Sequence, residues 1–179
     1  FAETGAMVSP PPFQQSLLPD LFRGRSHVLH EGVDTEYVKP REKPTLTLGE
    51  SRILDGSKPI ITLINRRFEP LRGFHIFIRA LPKLMAAVPA AEIVIIGADE
   101  PGGYGKPAEG KQTWGNILFG EIAGKVDRSR IHFVGRVPHQ VMLEALSLSW
   151  AHVYYTYPFV LSWSLLESMA CECLVIGSD

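Results

Sequence analysis

The chain has 179 residues, of which 45% are hydrophobic and 21% charged, enough for one α/β domain with its own core. A net charge of −1 excludes a non-specific nucleic-acid binder, which needs a basic excess. It leaves room for a small anionic ligand held by a few arginines. No apolar run approaches the ~20 residues that cross a bilayer. Phe1-Ala2-Glu3-Thr4-Gly5 carries neither the basic nor the apolar region of a signal peptide. Both ends read as cuts, since there is no initiator Met and Val175-Ile176-Gly177-Ser178-Asp179 follows straight on an apolar run. The expectation is a piece of a longer protein.

In chain order, Ala6-Met7-Val8 is a short strand and Phe13 to Leu18 a short helix, with Pro10-Pro11-Pro12 between them. Ser26 to His30 is extended. A polar stretch containing Pro40 and Pro44 reads as a linker or surface excursion. Thr45 to Leu48 and Ser51 to Leu54 form a hairpin turned at Gly49-Glu50. Regular alternation then begins. Ile60 to Ile64 is an apolar, β-branched run suited to a buried parallel strand. Phe74 to Ala87 repeats apolar residues at helical spacing. Strands follow at Glu92–Ile96, Ile131–Val134, His152–Tyr155 and Leu174–Ile176. Helical patterns lie between them at Thr113–Val126, Val141–Leu148 and Ser164–Ala170. This rhythm predicts an α/β fold, a Rossmann-like parallel sheet with helices on both faces. Residues 1–29 stand outside it and read as the tail of a preceding domain and its linker; residues 30–179 read as one domain, incomplete at its C-terminus.

In such a sheet, ligands bind beyond the carboxyl ends of the strands. After Ile64 comes Asn65-Arg66-Arg67-Phe68-Glu69-Pro70-Leu71-Arg72-Gly73, and a helix opens after Gly73. Guanidinium groups bind phosphate oxygens bidentately, and a helix N-terminus adds partial positive charge. The combination makes a diphosphate site; the alternative is surface ion pairs with Glu69 and its neighbours. Gly97-Ala98-Asp99 and Gly102-Gly103-Tyr104-Gly105 open no helix, so they make no dinucleotide fingerprint; they read as a plain surface loop, with a mobile loop over a ligand as the alternative. Gly135, before Arg136-Val137-Pro138, would let a base or sugar approach the backbone. Glu167 could accept from a ribose diol. The competing reading is a capping box, Ser164-x-x-Glu167, which the local pattern favours. The histidines show no metal-ligand spacing, so none is assigned a metal. Cys171 and Cys173, one residue apart, suit neither a disulfide nor a complete metal site; core packing is expected, and reduced thiols fit the cytoplasm.

Taken in order, the arginines before a helix-opening glycine, Phe133-Val134-Gly135-Arg136-Val137, and Leu166-Glu167-Ser168-Met169-Ala170 before a final strand resemble glycosyltransferase family 4, group 1. The resemblance runs from about His30 to the end. Arg67-Phe68-Glu69-Pro70-Leu71-Arg72-Gly73 is similar to the family's Gly-Arg-Phe-x-x-x-Lys-Gly, and its wording resembles a bacterial cell-surface polysaccharide branch. The resemblance implies the C-terminal, donor-binding half of a GT-B fold. Arg72 would hold the diphosphate with Arg67 or Arg66, beside Gly73. Gly135 and the backbone of Arg136 and Val137 would meet the base, and Glu167 the ribose. Amides around Leu161, Ser162 and Trp163 would meet the distal phosphate and sugar.

The implied reaction moves a sugar from a nucleotide sugar to a glycan or lipid-linked acceptor, with retention and without a metal or cofactor. The acceptor would be bound through an N-terminal domain. The expected place is the cytoplasm or the inner face of a membrane, with peripheral association allowed. Three departures stand out. Phe159 occupies the position of the first carboxylate of the family's paired-glutamate motif, and Val160-Leu161-Ser162 replaces Gly-Phe-Gly. Asn65-Arg66 replaces the glycine region. Glu172 stands where a helix-ending glycine is expected, at a cost of roughly 1 kcal/mol if its backbone is left-handed. The Phe159 departure motivates a second reading, a GT-B relative that binds nucleotide sugars without turning them over. A nucleotide-sugar epimerase is a third.

Overall fold

The computed structural model describes residues 5–110, 112–158 and 161–178; Phe159 and Val160 lie outside them. Met7–Ser9 (β1) pairs in parallel with Ser26–Val28 (β2), and two short helices, Pro12–Ser16 (α1) and Asp20–Arg23 (α2), join them. This pair forms its own two-stranded sheet. Leu46–Leu48 (β3) and Arg52–Leu54 (β4) make the expected antiparallel hairpin. Its Gly49 has φ 59°, a left-handed turn conformation that glycine adopts without strain.

The main sheet is built from Ile60–Arg67 (β5), Glu92–Ala98 (β6), Ile131–Gly135 (β7), Ala151–Tyr154 (β8) and Val175–Gly177 (β9). All neighbouring pairs are parallel, in the order β7-β6-β5-β8-β9. Phe74–Ala87 (α3), Trp114–Glu121 (α4), His139–Ser147 (α5) and Trp163–Ala170 (α6) connect them. Successive side chains of a strand face opposite ways. Ile61 and Leu63 therefore pack with Phe77, Ile78 and Leu81 of α3 and Leu118 of α4. Ile60 and Ile64 pack on the other face with Leu143 and Leu146 of α5 and with Leu46 and Leu54 of the hairpin. Two cores on one sheet explain why these strands read as continuous apolar runs.

Several boundaries differ from expectation. The helical pattern at 113–126 yields only Trp114–Glu121, because Gly120 ends the good helix formers and Gly124 takes φ 75°. Strand β5 runs on to Arg67, so Arg66 and Arg67 finish a strand instead of lying in a loop. The polar stretch before the hairpin is no free linker. Val38 is buried in the second core, and the Arg41 amide donates to Ser147 Oγ of α5 at 3.0 Å. Cys171 and Cys173 are free thiols; burial pushes the Cys173 thiol up to about 12, and it donates to the Leu146 carbonyl.

From β5 the chain steps outward through β6 to β7, then crosses back to place β8 on the other side of β5. The carboxyl ends of β5 and β8 flank this switch point, where open parallel sheets hold ligands.

Candidate functional site at the switch point

The loop after β5 is tied to the end of β8. Gly73 has φ 68° and caps α3, and a side chain there would overlap the Cβ of Tyr155. Glycine is required on both counts, conformation and close approach. The Tyr157 amide donates to the Leu71 carbonyl at 2.8 Å. A helix of fourteen residues thus starts at the switch point, with its partial positive end facing the crevice.

Arg66, Arg67, Glu69, Arg72, Gly103 and Tyr104 line a cavity of about 280 Å³ there. The three arginines named from the sequence are therefore brought together. Arg67 and Arg72 are also partly committed to carboxylates, as the ion-pair reading of the loop expected. Arg67 Nε donates to Glu100 Oε1 at 2.8 Å, and Arg136 donates to the same oxygen. Glu100 thereby joins the ends of β5 and β7, and the Arg67 hydrogen bond is the main cause that holds its carboxyl below the usual range. Arg72 Nε lies 3.9 Å from Glu69 Oε1, its guanidinium stands over the Tyr104 ring at 5.5 Å, and Asn65 Nδ2 donates to the Arg72 carbonyl at 3.3 Å.

Glu69 is 3% exposed. Burial raises its pKa, against the Tyr104 amide that donates to it and the charges of Arg72 and Arg67. Gly103 packs so closely on this carboxylate that a side chain there would overlap it. The glycine-rich loop is thus fastened over the arginines. The sequence treated Glu69 as an ion-pair partner and missed this fastening, which depends on Tyr104, 35 residues further on, and leaves no local signal.

Gly135 ends β7 with φ 78°. It borders a second cavity, of about 320 Å³, walled by Phe68, Phe119 and Phe133 and reached by Arg128, whose guanidinium lies over both Phe119 and Phe133. Val137 packs into the core beside α5. Leu161 and Trp163 are exposed and flank Ser162, the residue that opens α6 at the carboxyl end of β8.

The capping box expected at Ser164 and Glu167 is not formed. Ser162 is the cap, its Oγ accepting from the Leu165 amide at 3.3 Å, and Ser164 Oγ pairs with Ser162 Oγ. A cap set two residues earlier leaves the Glu167 carboxylate free to turn across to α5, where His139 Nε2 meets Oε1 at 2.7 Å. His139 follows Gly135 by one short turn, so Glu167 belongs to the same edge of the sheet as the arginines. The sequence left His139 as an ordinary histidine, and no local pattern singles it out.

A smaller cavity of about 130 Å³ lies at the opposite edge, where the strands begin, beside Arg52, Lys58 and Glu92. Those charges are spent on one another. Among the described residues no group of three histidines, cysteines or acidic residues could hold a metal ion, and no helix is long and apolar enough to cross a membrane.

A parallel sheet of this order, with helices on both faces, is the Rossmann-like fold of GT-B glycosyltransferases. Sucrose-phosphate synthase of Thermosynechococcus elongatus superposes with a TM-score of 0.70 at 18% identity, over 95% of this chain and 39% of that one. HepE of Anabaena, in complex with UDP-glucose, gives 0.71 at 14% identity, over 97% and 44%. The C-terminal domain of the group 1 glycosyl transferase LpcC from Francisella tularensis gives 0.61 at 21% identity, over 82% and 70%. In sequence, the chain is 31% identical over 106 residues to a phosphatidyl-myo-inositol mannosyltransferase of Propionibacterium freudenreichii subsp. shermanii, covering 57% of this chain and 27% of that protein. The pattern of the family described as Glycosyl transferases group 1 matches residues 58–179, and the chain belongs to that family. It spans about a quarter of the curated mannosyltransferase and less than half of the first two structures.

Proposed function

We propose that this chain binds the donor nucleotide sugar of a glycosyltransferase that moves the sugar, with retention and without a metal, to a glycan or lipid-linked acceptor. The observation that carries the reading is the cavity shared by Arg66, Arg67 and Arg72 where α3 begins. Arg72, with Arg67 or Arg66, holds the diphosphate beside Gly73, where α3 begins. Cationic side chains and helix-end amides stabilise the departing diphosphate, so the chemistry needs no other counter-ion. The Arg136 and Val137 backbone, after Gly135, meets the base. Glu167 accepts from the ribose. Amides near Leu161, Ser162 and Trp163 meet the distal phosphate and sugar.

The test is calorimetry of UDP and GDP on the intact protein. Arg72→Ala should weaken the tighter of the two by about 1.5–3 kcal/mol, as for loss of a charge-assisted hydrogen bond. Unchanged affinity removes Arg72 from the site. The second reading, a binder without turnover, is motivated by Phe159. It predicts donor binding with no sugar released or transferred, which product analysis over a panel of nucleotide sugars separates from catalysis.

A further inference from the structure

We propose that His139, braced by Tyr37, is a positioning residue for Glu167 and thereby sets how strongly the site selects a ribose. The inference rests on the donor reading above, in which Glu167 meets the sugar hydroxyls, and adds a part of the chain that reading does not use.

Glu167 is 9% exposed, and a carboxylate so buried needs a fixed partner. A carboxylate oxygen accepts, so His139 Nε2 is the donor in the 2.7 Å contact. Among the described residues Oε2 has no hydrogen-bond partner, which leaves it to accept from a ligand hydroxyl. The imidazole is itself held. Tyr37 stacks on it with ring centroids 5.7 Å apart and planes at 27°, and Arg41 lies over the Tyr37 ring at 5.2 Å.

Tyr37 belongs to a strap running along α5. Asp34 Oδ1 accepts from the Glu36 and Tyr37 amides, Val38 is buried in the core beneath, and the Arg41 amide is fixed to Ser147. The Thr45 amide donates to Glu144 Oε2 at 3.2 Å. The ring therefore has its donor edge on Glu167 and one face on Tyr37, while 44% of the His139 side chain stays exposed. A ribose diol gains most from a carboxylate that need not be immobilised on binding. A ligand lacking the hydroxyls forfeits the charge-assisted hydrogen bonds that the carboxylate offers, and binds more weakly by that amount.

The test compares UDP and GDP with their 2′,3′-dideoxy forms by calorimetry on the intact protein. The wild type should bind the ribose form of its preferred nucleotide about tenfold more tightly. His139→Phe keeps the stack and loses the donor, and should narrow that ratio to about twofold while the dideoxy affinity holds. His139→Gln restores a donor and should keep the ratio. A ratio unchanged in His139→Phe overturns the inference. Should that variant not fold, Tyr37→Ala decides, with an undiminished ratio again fatal. A wild type that binds neither nucleotide refutes the donor reading before any variant is made. A wild type that binds both sugar forms equally removes Glu167 from the ribose and this inference with it. Preference intact in wild type and intact in His139→Phe removes His139 alone.

Discussion

His152 lies in β8 with no exposed surface. Its Nδ1 meets Thr62 Oγ1 at 2.9 Å, while Nε2 is buried without a protein partner among the described residues. Burial pushes its pKa from 6.5 down to about 4. As pH falls, the unfolded chain takes up this proton first, so stability is full above about 6.5 and drains away towards pH 4. The loss is at most about 3 kcal/mol over that window. Urea unfolding at a series of pH values should show it, and His152→Asn, which cannot titrate, should flatten the slope. A slope unchanged in that variant would place the acid sensitivity elsewhere. Single residues were unevenly legible. Arg66, Arg67 and Arg72 could be chosen because they follow a strand and precede a helix. Glu69, Glu100 and His139 could not, because what each does depends on a partner far along the chain: Tyr104, Arg136 and Glu167 respectively.

At the scale of an element, α6 shows how local rules can both mislead and inform. Ser164-x-x-Glu167 has the spacing of a capping box, yet Ser162 begins the helix, since its extended backbone (ψ 152°) and side chain satisfy the Leu165 amide. The C-terminal end obeys the rule that was read. The Cys173 amide donates to the Ser168 carbonyl and the Glu172 amide to that of Met169, the paired bonds of a Schellman motif. Glu172 takes φ 60°, the left-handed conformation where glycine is at ease. Glu172→Gly should therefore stabilise the protein by about 1 kcal/mol, read as a raised melting temperature; a lowered one would mean the glutamate makes a compensating contact. By contrast α3 was legible to its ends, from Phe74 after Gly73 to Ala87, because its apolar stripe spans nearly four turns.

Across the whole molecule, the two edges of the sheet are separate in purpose. The carboxyl edge carries the arginines and Glu167. The opposite edge carries Glu92, 1% exposed, which binds Arg52 through both oxygens, at 2.7 and 2.8 Å, and also Lys58 and His132. Burial works to raise its pKa, but these partners outweigh that and hold it below the usual range. The clamp ties the hairpin to the start of β6 and β7. Glu92→Ala should cost about 2 kcal/mol, less than a fully buried pair because Arg52 and Lys58 remain partly in water. Nucleoside diphosphate affinity should stay within about twofold, since the clamp touches no group of the cleft. A larger loss of affinity would show that the two edges are coupled.

The amino-acid order alone determined that β-branched runs alternate with amphipathic stretches, and hence that a parallel sheet lies between two helical layers with its cleft beyond the strand ends. It singled out Gly73 and the arginines around it as candidates, because those signals are local. The tertiary structure alone decided that Glu100 bridges Arg67 and Arg136, that the Gly102–Gly105 loop closes on Glu69, and that a strap ahead of the hairpin braces His139 against Glu167. The reason is one of range. Backbone preference and hydrophobic period act over a few residues, whereas a side-chain pair across elements forms only after the core has fixed both backbones, and nothing in either neighbourhood announces the other.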